Sequence, residues 1–316
     1  MLWNPELETF LPETLELNAT VESMLAKSTP VELENLDRAR QDRRDGSGWA
    51  PAPVFLDEAE DMTCPGPVGD IPLRVFRSPS PTGIYLHIHG GGWVLGGADL
   101  QDPALERIAK ATGLTCVSVD YRLAPENPHP AGDDDCEAAA LWVMEHAADV
   151  FGAPNRVVIG GESAGGHLTL MTLLRLRDRH DALGPIVGAN LVYPVADFGG
   201  TPSQRSWGDR FLVLSSSNLA WFYDCYLPGL SMAERQSPSI SPIYADLSNL
   251  PPTLLTIGTL DPLLDDSLFL ASRLQAAGNV VELAAYPESM HGFNAFPTEM
   301  ARAANHRITD WISRLL

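Results

Sequence analysis

The chain has no excess of positive charge, little cysteine and no long apolar run, and each shortage closes off a class of function. Only 21 basic residues stand against 41 acidic ones, a formal net charge of −20 over 316 residues. So acidic a surface repels phosphate backbones and anionic headgroups, which argues against nucleic acid and membrane insertion. The four cysteines, Cys64, Cys116, Cys136 and Cys225, show neither C-x-x-C nor metal-ligand spacing. Free, mostly buried thiols in a reducing compartment are expected. No stretch approaches the ~20 apolar residues that span a bilayer. The acidic N-terminus, MLWNPELETFLPETLEL, lacks the basic and apolar regions of a secretory signal. A cytoplasmic protein is the expectation. Internal repeats and low-complexity tracts are missing as well.

What is present is a change of texture near residue 70. The first fifty residues read as polar, acidic helix; Thr29-Pro30-Val31-Glu32 has the form of a capping box, with a helix running through LENLDRARQDRR to Asp45-Gly46. From about residue 84, short apolar runs alternate with helical stretches. Strands are expected near Leu73–Arg77, Ile84–His89, Thr115–Tyr121, Arg156–Gly160, Ile186–Tyr193, Thr253–Gly258 and Val281–Ala285. Helices are expected near Pro103–Thr112, Asp134–Asp149, Ala164–Arg179, Asp265–Ala277 and Glu299–Leu315. That rhythm predicts an α/β fold with a mostly parallel sheet covered on both faces, whose ligands bind beyond the carboxyl ends of the strands. Residues 198–241 break it with turn residues and a dense aromatic set: Trp207, Phe211, Trp221, Phe222, Tyr223 and Tyr226. Aromatics at such spacing serve packing more often than ligand contact. A serine near Ser217 should cap a short helix through Tyr226.

The chemistry centres on Gly161-Glu162-Ser163-Ala164-Gly165, which follows one apolar run and opens a helix. A serine hydroxyl becomes a nucleophile when it is exposed, oriented and hydrogen-bonded to a base, and a tight strand-to-helix turn does the first two. The pattern alone arises by chance in about one chain of this size in ten, so it needs partners. Of eight histidines, His291 is the one placed after a late strand and before a glycine, in PESMHGF. His167 falls one helical turn beyond Ser163, on the expected flank of that helix. For the acid, Asp261 directly follows the strand TLLTIGTL, whereas Asp265 and Asp266 sit where acidic residues complement a helix dipole. Three glycines after a strand, in His89-Gly90-Gly91-Gly92-Trp93, can turn main-chain N–H groups inward toward a developing oxyanion, joined by the N–H of Ala164.

Taken together, HGGGW, DYRLAPE, GESAGG, YPVAD, DPLLD and HGF, in that order over residues 84–316, make the chain resemble the hormone-sensitive-lipase-like family of α/β-hydrolases, bacterial carboxylesterases marked by HGGG and GDSAGG. The resemblance implies an α/β-hydrolase fold with Ser163 as nucleophile, His291 as base, Asp261 as acid, and Gly91, Gly92 and Ala164 as oxyanion donors. It implies a helical cap from residues 1–52 and the insertion 198–241, set on a catalytic domain of residues 53–197 and 242–316. Trp93, Glu162, Tyr193, Phe211 and Leu214 are the candidate pocket residues; Glu162 stands where the family more often has aspartate. The implied substrate is a small ester of short to medium acyl chain, with no metal or cofactor, and the family's habit of pairing through an edge strand implies a homodimer. The same machinery also serves amidases, lactonases, thioesterases and deacetylases, and non-catalytic receptors share the fold.

Overall fold

The structure, a computed structural model, describes residues 2–316. Eight strands form one sheet: β1 (Glu60–Pro65), β2 (Asp70–Phe76), β3 (Ile84–Ile88), β4 (Thr115–Val119), β5 (Val157–Glu162), β6 (Ile186–Val192), β7 (Thr253–Leu260) and β8 (Val281–Met290). Their order is β1-β2-β4-β3-β5-β6-β7-β8, antiparallel at the β1 end and parallel from β4 to β8. The helices are α1 (Leu11–Leu25), α2 (Leu36–Arg44), α3 (Asp102–Thr112), α4 (Ala131–Glu145), α5 (Ala164–His180), α6 (Pro202–Ser206), α7 (Ser216–Tyr226), α8 (Met232–Arg235), α9 (Leu264–Ala276) and α10 (Glu299–Leu315).

The central strands read as unbroken apolar runs because both faces are covered. In β3, Ile84, Leu86 and Ile88 point into a core shared with α4, α5 and α9, while Tyr85 points into a second core with α3 and α10. Each such buried side chain contributes about 1.5–3 kcal/mol relative to exposure. The four cysteines are free and buried within this framework. Among the described residues no helix is long and apolar enough to cross a membrane.

Two local expectations are corrected. The helix after Thr29 does not begin with a Thr29–Glu32 box. Asn35 instead accepts the Glu32 N–H at 2.9 Å and donates to the Pro30 carbonyl, which keeps the chain extended until a short 3-10 turn at Leu33–Asn35 leads into α2. Strand β1 was not expected at all: in EDMTCP only Cys64 is buried, so the run shows no apolar alternation. The expected serine cap does occur, with Ser215 accepting the Asn218 N–H at the start of α7.

Candidate active site

Ser163 sits between β5 and α5 with φ 57° and ψ −120°, a region that a non-glycine residue occupies only when its surroundings hold it there. Two close approaches do so. A Cβ on Gly161 would lie 2.3 Å from the Ile88 carbonyl oxygen, and one on Gly165 would lie 2.0 Å from the same atom. Strand β3 therefore meets the elbow backbone to backbone, and both flanking glycines are required. The Ser163 N–H donates to the Val192 carbonyl at 2.9 Å, tying the elbow to the end of β6.

Two later strand ends deliver the partners. The Ser163 hydroxyl is 2.9 Å from His291 Nε2, and His291 Nδ1 is 2.8 Å from Asp261 Oδ2. With Asp261 ionised, Nδ1 carries the proton and Nε2 is free to accept from the hydroxyl. Asp261 is 2% exposed, and its other oxygen accepts the Leu263 N–H at 2.9 Å, which fixes the carboxylate's direction. His291 follows β8 and is released from it by Gly292 in the left-handed region.

The Gly90–Gly92 turn packs against the strand end that leads into Ser163: a Cβ on Gly90 would lie 2.8 Å from the Glu162 carbonyl oxygen. The N–H groups of Gly91, Gly92 and Ala164 donate to no protein acceptor among the described residues. Neighbouring N–H groups are used to hold the turn: Val94 and Leu95 both donate to the Gly91 carbonyl, and Gly90 donates to Glu162 Oε1 at 2.7 Å.

The five candidate pocket residues separate into two groups. Glu162 is held through both oxygens, the second taking His87 Nε2 at 2.8 Å. Burial works against its charge, but His87 and the Gly90 N–H outweigh burial and hold its pKa below the usual carboxylate range. Trp93, 2% exposed, is no pocket wall: its indole donates to His167 Nδ1 at 3.2 Å and stacks on Tyr226. Both residues brace the glycine turn. Tyr193 packs its ring 4.5 Å from that of His291 and donates its hydroxyl to Asn294 at 2.6 Å. Phe211 and Leu214 lie in the insertion, partly and fully buried.

Three residues matter here that the sequence did not single out for these roles. Phe222 of α7 covers the glycine turn so closely that a Cβ on Gly92 would meet its ring at 2.4 Å. Fully buried His167 links Trp93 to the insertion through Nε2, 2.8 Å from the Ile240 carbonyl. Asp266 collects the N–H groups of Ala196 and Asp197, the Thr201 hydroxyl and the Gln204 amide, and so pins the insertion's entry to α9. Burial pushes its pKa up to about 7 against those bonds. Asp266 stands in the first turn of α9, where the sequence places a structural acidic residue, with its side chain turned into the protein.

A family profile described as the alpha/beta hydrolase fold matches residues 85–295. The chain is 39% identical over 251 residues to the carboxylic ester hydrolase LipN of Mycobacterium tuberculosis, covering 77% of this chain and 66% of that protein. It is 30% identical over 304 residues to an ethyl acetate hydrolase of Pseudomonas putida, covering 93% and 92%. Among solved structures, a hyperthermophilic esterase from the archaeon Pyrobaculum calidifontis superposes with a TM-score of 0.85 at 30% identity, covering 100% of this chain and 99% of that one.

Proposed function

The chain belongs to the hormone-sensitive-lipase-like carboxylesterases of the alpha/beta hydrolase superfamily, and on that premise we propose that it hydrolyses short- to medium-chain carboxylic esters through an acyl-enzyme on Ser163. The observation that carries this reading is the unbroken run from Ser163 Oγ to His291 Nε2 at 2.9 Å and from His291 Nδ1 to Asp261 at 2.8 Å. Ser163 Oγ attacks the ester carbonyl as His291 Nε2 takes its proton. The oxyanion settles among the N–H groups of Gly91, Gly92 and Ala164, each donor supplying roughly 3 kcal/mol to the transition state. Asp261 steadies the imidazolium. The C–O bond to the alcohol breaks, and the alcohol leaves with the proton from His291. A water then repeats the sequence on the acyl group, releasing the acid and restoring Ser163.

Helices α1 and α2 and the insertion 198–241 form the cover over this site. Phe222 against Gly92 supports that assignment, because it sets an aromatic wall beside the oxyanion position. A wall so near limits the depth available to an acyl chain, and the name of the Pseudomonas putida relative points to equally small esters.

An organophosphate should label Ser163 stoichiometrically, His291→Ala should abolish labelling, and butyrate esters should turn over faster than long-chain triglyceride emulsions. An unlabelled Ser163 contradicts the mechanism. A preference for the emulsion contradicts the chain length.

A further inference from the structure

Strand β6 ends at Val192, and the next residue, Tyr193, touches the segments that carry Ser163, Asp261 and His291. One peptide unit does the first two. The Val192 carbonyl accepts the Ser163 N–H at 2.9 Å, and the Tyr193 N–H donates at 2.6 Å to the Thr256 carbonyl of β7, the strand that leads to Asp261. The side chain does the third. Its hydroxyl donates at 2.6 Å to Asn294 Oδ1, three residues beyond His291. Its ring lies 4.5 Å from the His291 ring, centroid to centroid, tilted by 56°.

The surroundings hold Tyr193 in this place. Its φ of 37° falls in the left-handed region, which a bulky side chain occupies only when its neighbours over-determine it. The residue is 4% exposed. Burial pushes the phenol's pKa up, so the hydroxyl keeps its proton and donates. Asn294, the acceptor, is itself fixed from two helices. Its amide donates to Asn305 of α10 at 3.4 Å, Asn305 donates back to the Asn294 carbonyl at 2.9 Å, and Arg107 of α3 donates to Asn305 at 3.1 Å.

These contacts supply what the two hydrogen bonds of His291 leave open. Bonds at Nδ1 and Nε2 fix the line from Asp261 to Ser163, but the imidazole can still tilt about that line, which turns both nitrogens off their partners. A second ring packed against it limits the tilt. Resting on the esterase reading above, we infer that Tyr193 is a positioning residue for His291: its ring sets the tilt of the imidazole and its hydroxyl fixes the loop from which the imidazole hangs. Packing alone accounts for a loss of stability when Tyr193 is changed. It does not account for a loss of kcat at constant KM in folded molecules, which is what a misaimed base produces.

Ethyl butyrate hydrolysis by the full-length enzyme tests this, with rates expressed per serine titrated to completion by an organophosphate, so that misfolded molecules do not count. Tyr193→Phe keeps the ring and should lower kcat by roughly 3- to 10-fold with KM unchanged, the worth of one hydrogen bond. Asn294→Ala should do the same, and the two changes together should lower kcat no further, because they remove the same bond. Tyr193→Leu frees the imidazole to tilt and should lower kcat by roughly 10- to 100-fold. His291 serves both acylation and deacylation, so the loss appears whichever is slower. A kcat within about twofold of the wild type overturns the hydroxyl's role if found in Tyr193→Phe, and the ring's role if found in Tyr193→Leu. In either case turnover by the wild type leaves the esterase reading standing. A wild type that neither hydrolyses ethyl butyrate nor takes the label overturns both.

Discussion

Acid should weaken this protein through His167. The ring is fully buried, with Nδ1 accepting from Trp93 at 3.2 Å and Nε2 donating to the Ile240 carbonyl at 2.8 Å. A proton added at Nδ1 would face the indole N–H that now donates to it, so this site favours the neutral ring. Burial pushes the pKa down to about 4; Asp133 and the Ile240 carbonyl oppose the shift, while His129 and Arg175 add to it. An unfolded imidazole titrates near 6.5, so the unfolded chain takes the proton first. The contribution is therefore complete above about pH 6.5 and is lost as pH falls toward 4. At pH 4.5 the single-site linkage relation puts the loss at roughly 2.5 kcal/mol relative to neutral pH. His167→Gln offers an amide in place of the ring, able to accept and donate but not to titrate. Urea unfolding at pH 7 and pH 4.5 should show the wild type losing about 2 kcal/mol more than the variant between the two. Asp266, whose raised pKa of about 7 acts in the opposite sense by favouring the folded state at lower pH, is common to both proteins and cancels. Equal losses in the two proteins refute the assignment to His167.

Gly165→Ala should yield little soluble protein or none that turns over, because its Cβ would lie 2.0 Å from a backbone oxygen that no rotamer change can move. A well-folded, active variant, judged by melting and by ester hydrolysis, contradicts the packing at the elbow. Asp266→Ala strands several buried donors at once and should cost roughly 3 kcal/mol or more in denaturant unfolding; a change below about 1 kcal/mol removes Asp266 as the anchor of the insertion. Asp261→Asn keeps the side-chain volume but reverses the tautomer His291 needs, and turnover should fall by about four orders of magnitude. A variant within tenfold of wild type would mean that another group orients His291.

The parts of the fold legible in the sequence were those whose physics is local. The parallel strands announced themselves as short β-branched runs because both their faces are buried, and the order of the Ser163, Asp261 and His291 loops follows from that alternation. What escaped were features set by distant partners. Strand β1 is an exposed edge with one buried side chain, Cys64, and leaves no pattern. Strand β8 runs on through Pro287 to Met290, beyond the predicted end at Ala285, because an edge strand tolerates a residue without an N–H. The partners of two pocket candidates are likewise invisible in the sequence: Trp93 bonds to His167, and Glu162 to His87 and Gly90. Phe222 comes from a segment without any matching motif, so its approach to the glycine turn is visible only once α7 is docked.

The central claim is that Ser163 is the nucleophile of an ester hydrolase, and Ser163→Ala assayed on a short-chain ester tests it most directly. The Ser163 hydroxyl lies 2.9 Å from His291, and its removal should lower turnover by roughly four to six orders of magnitude while the fold persists. Hydrolysis retained within tenfold of the wild type contradicts the account.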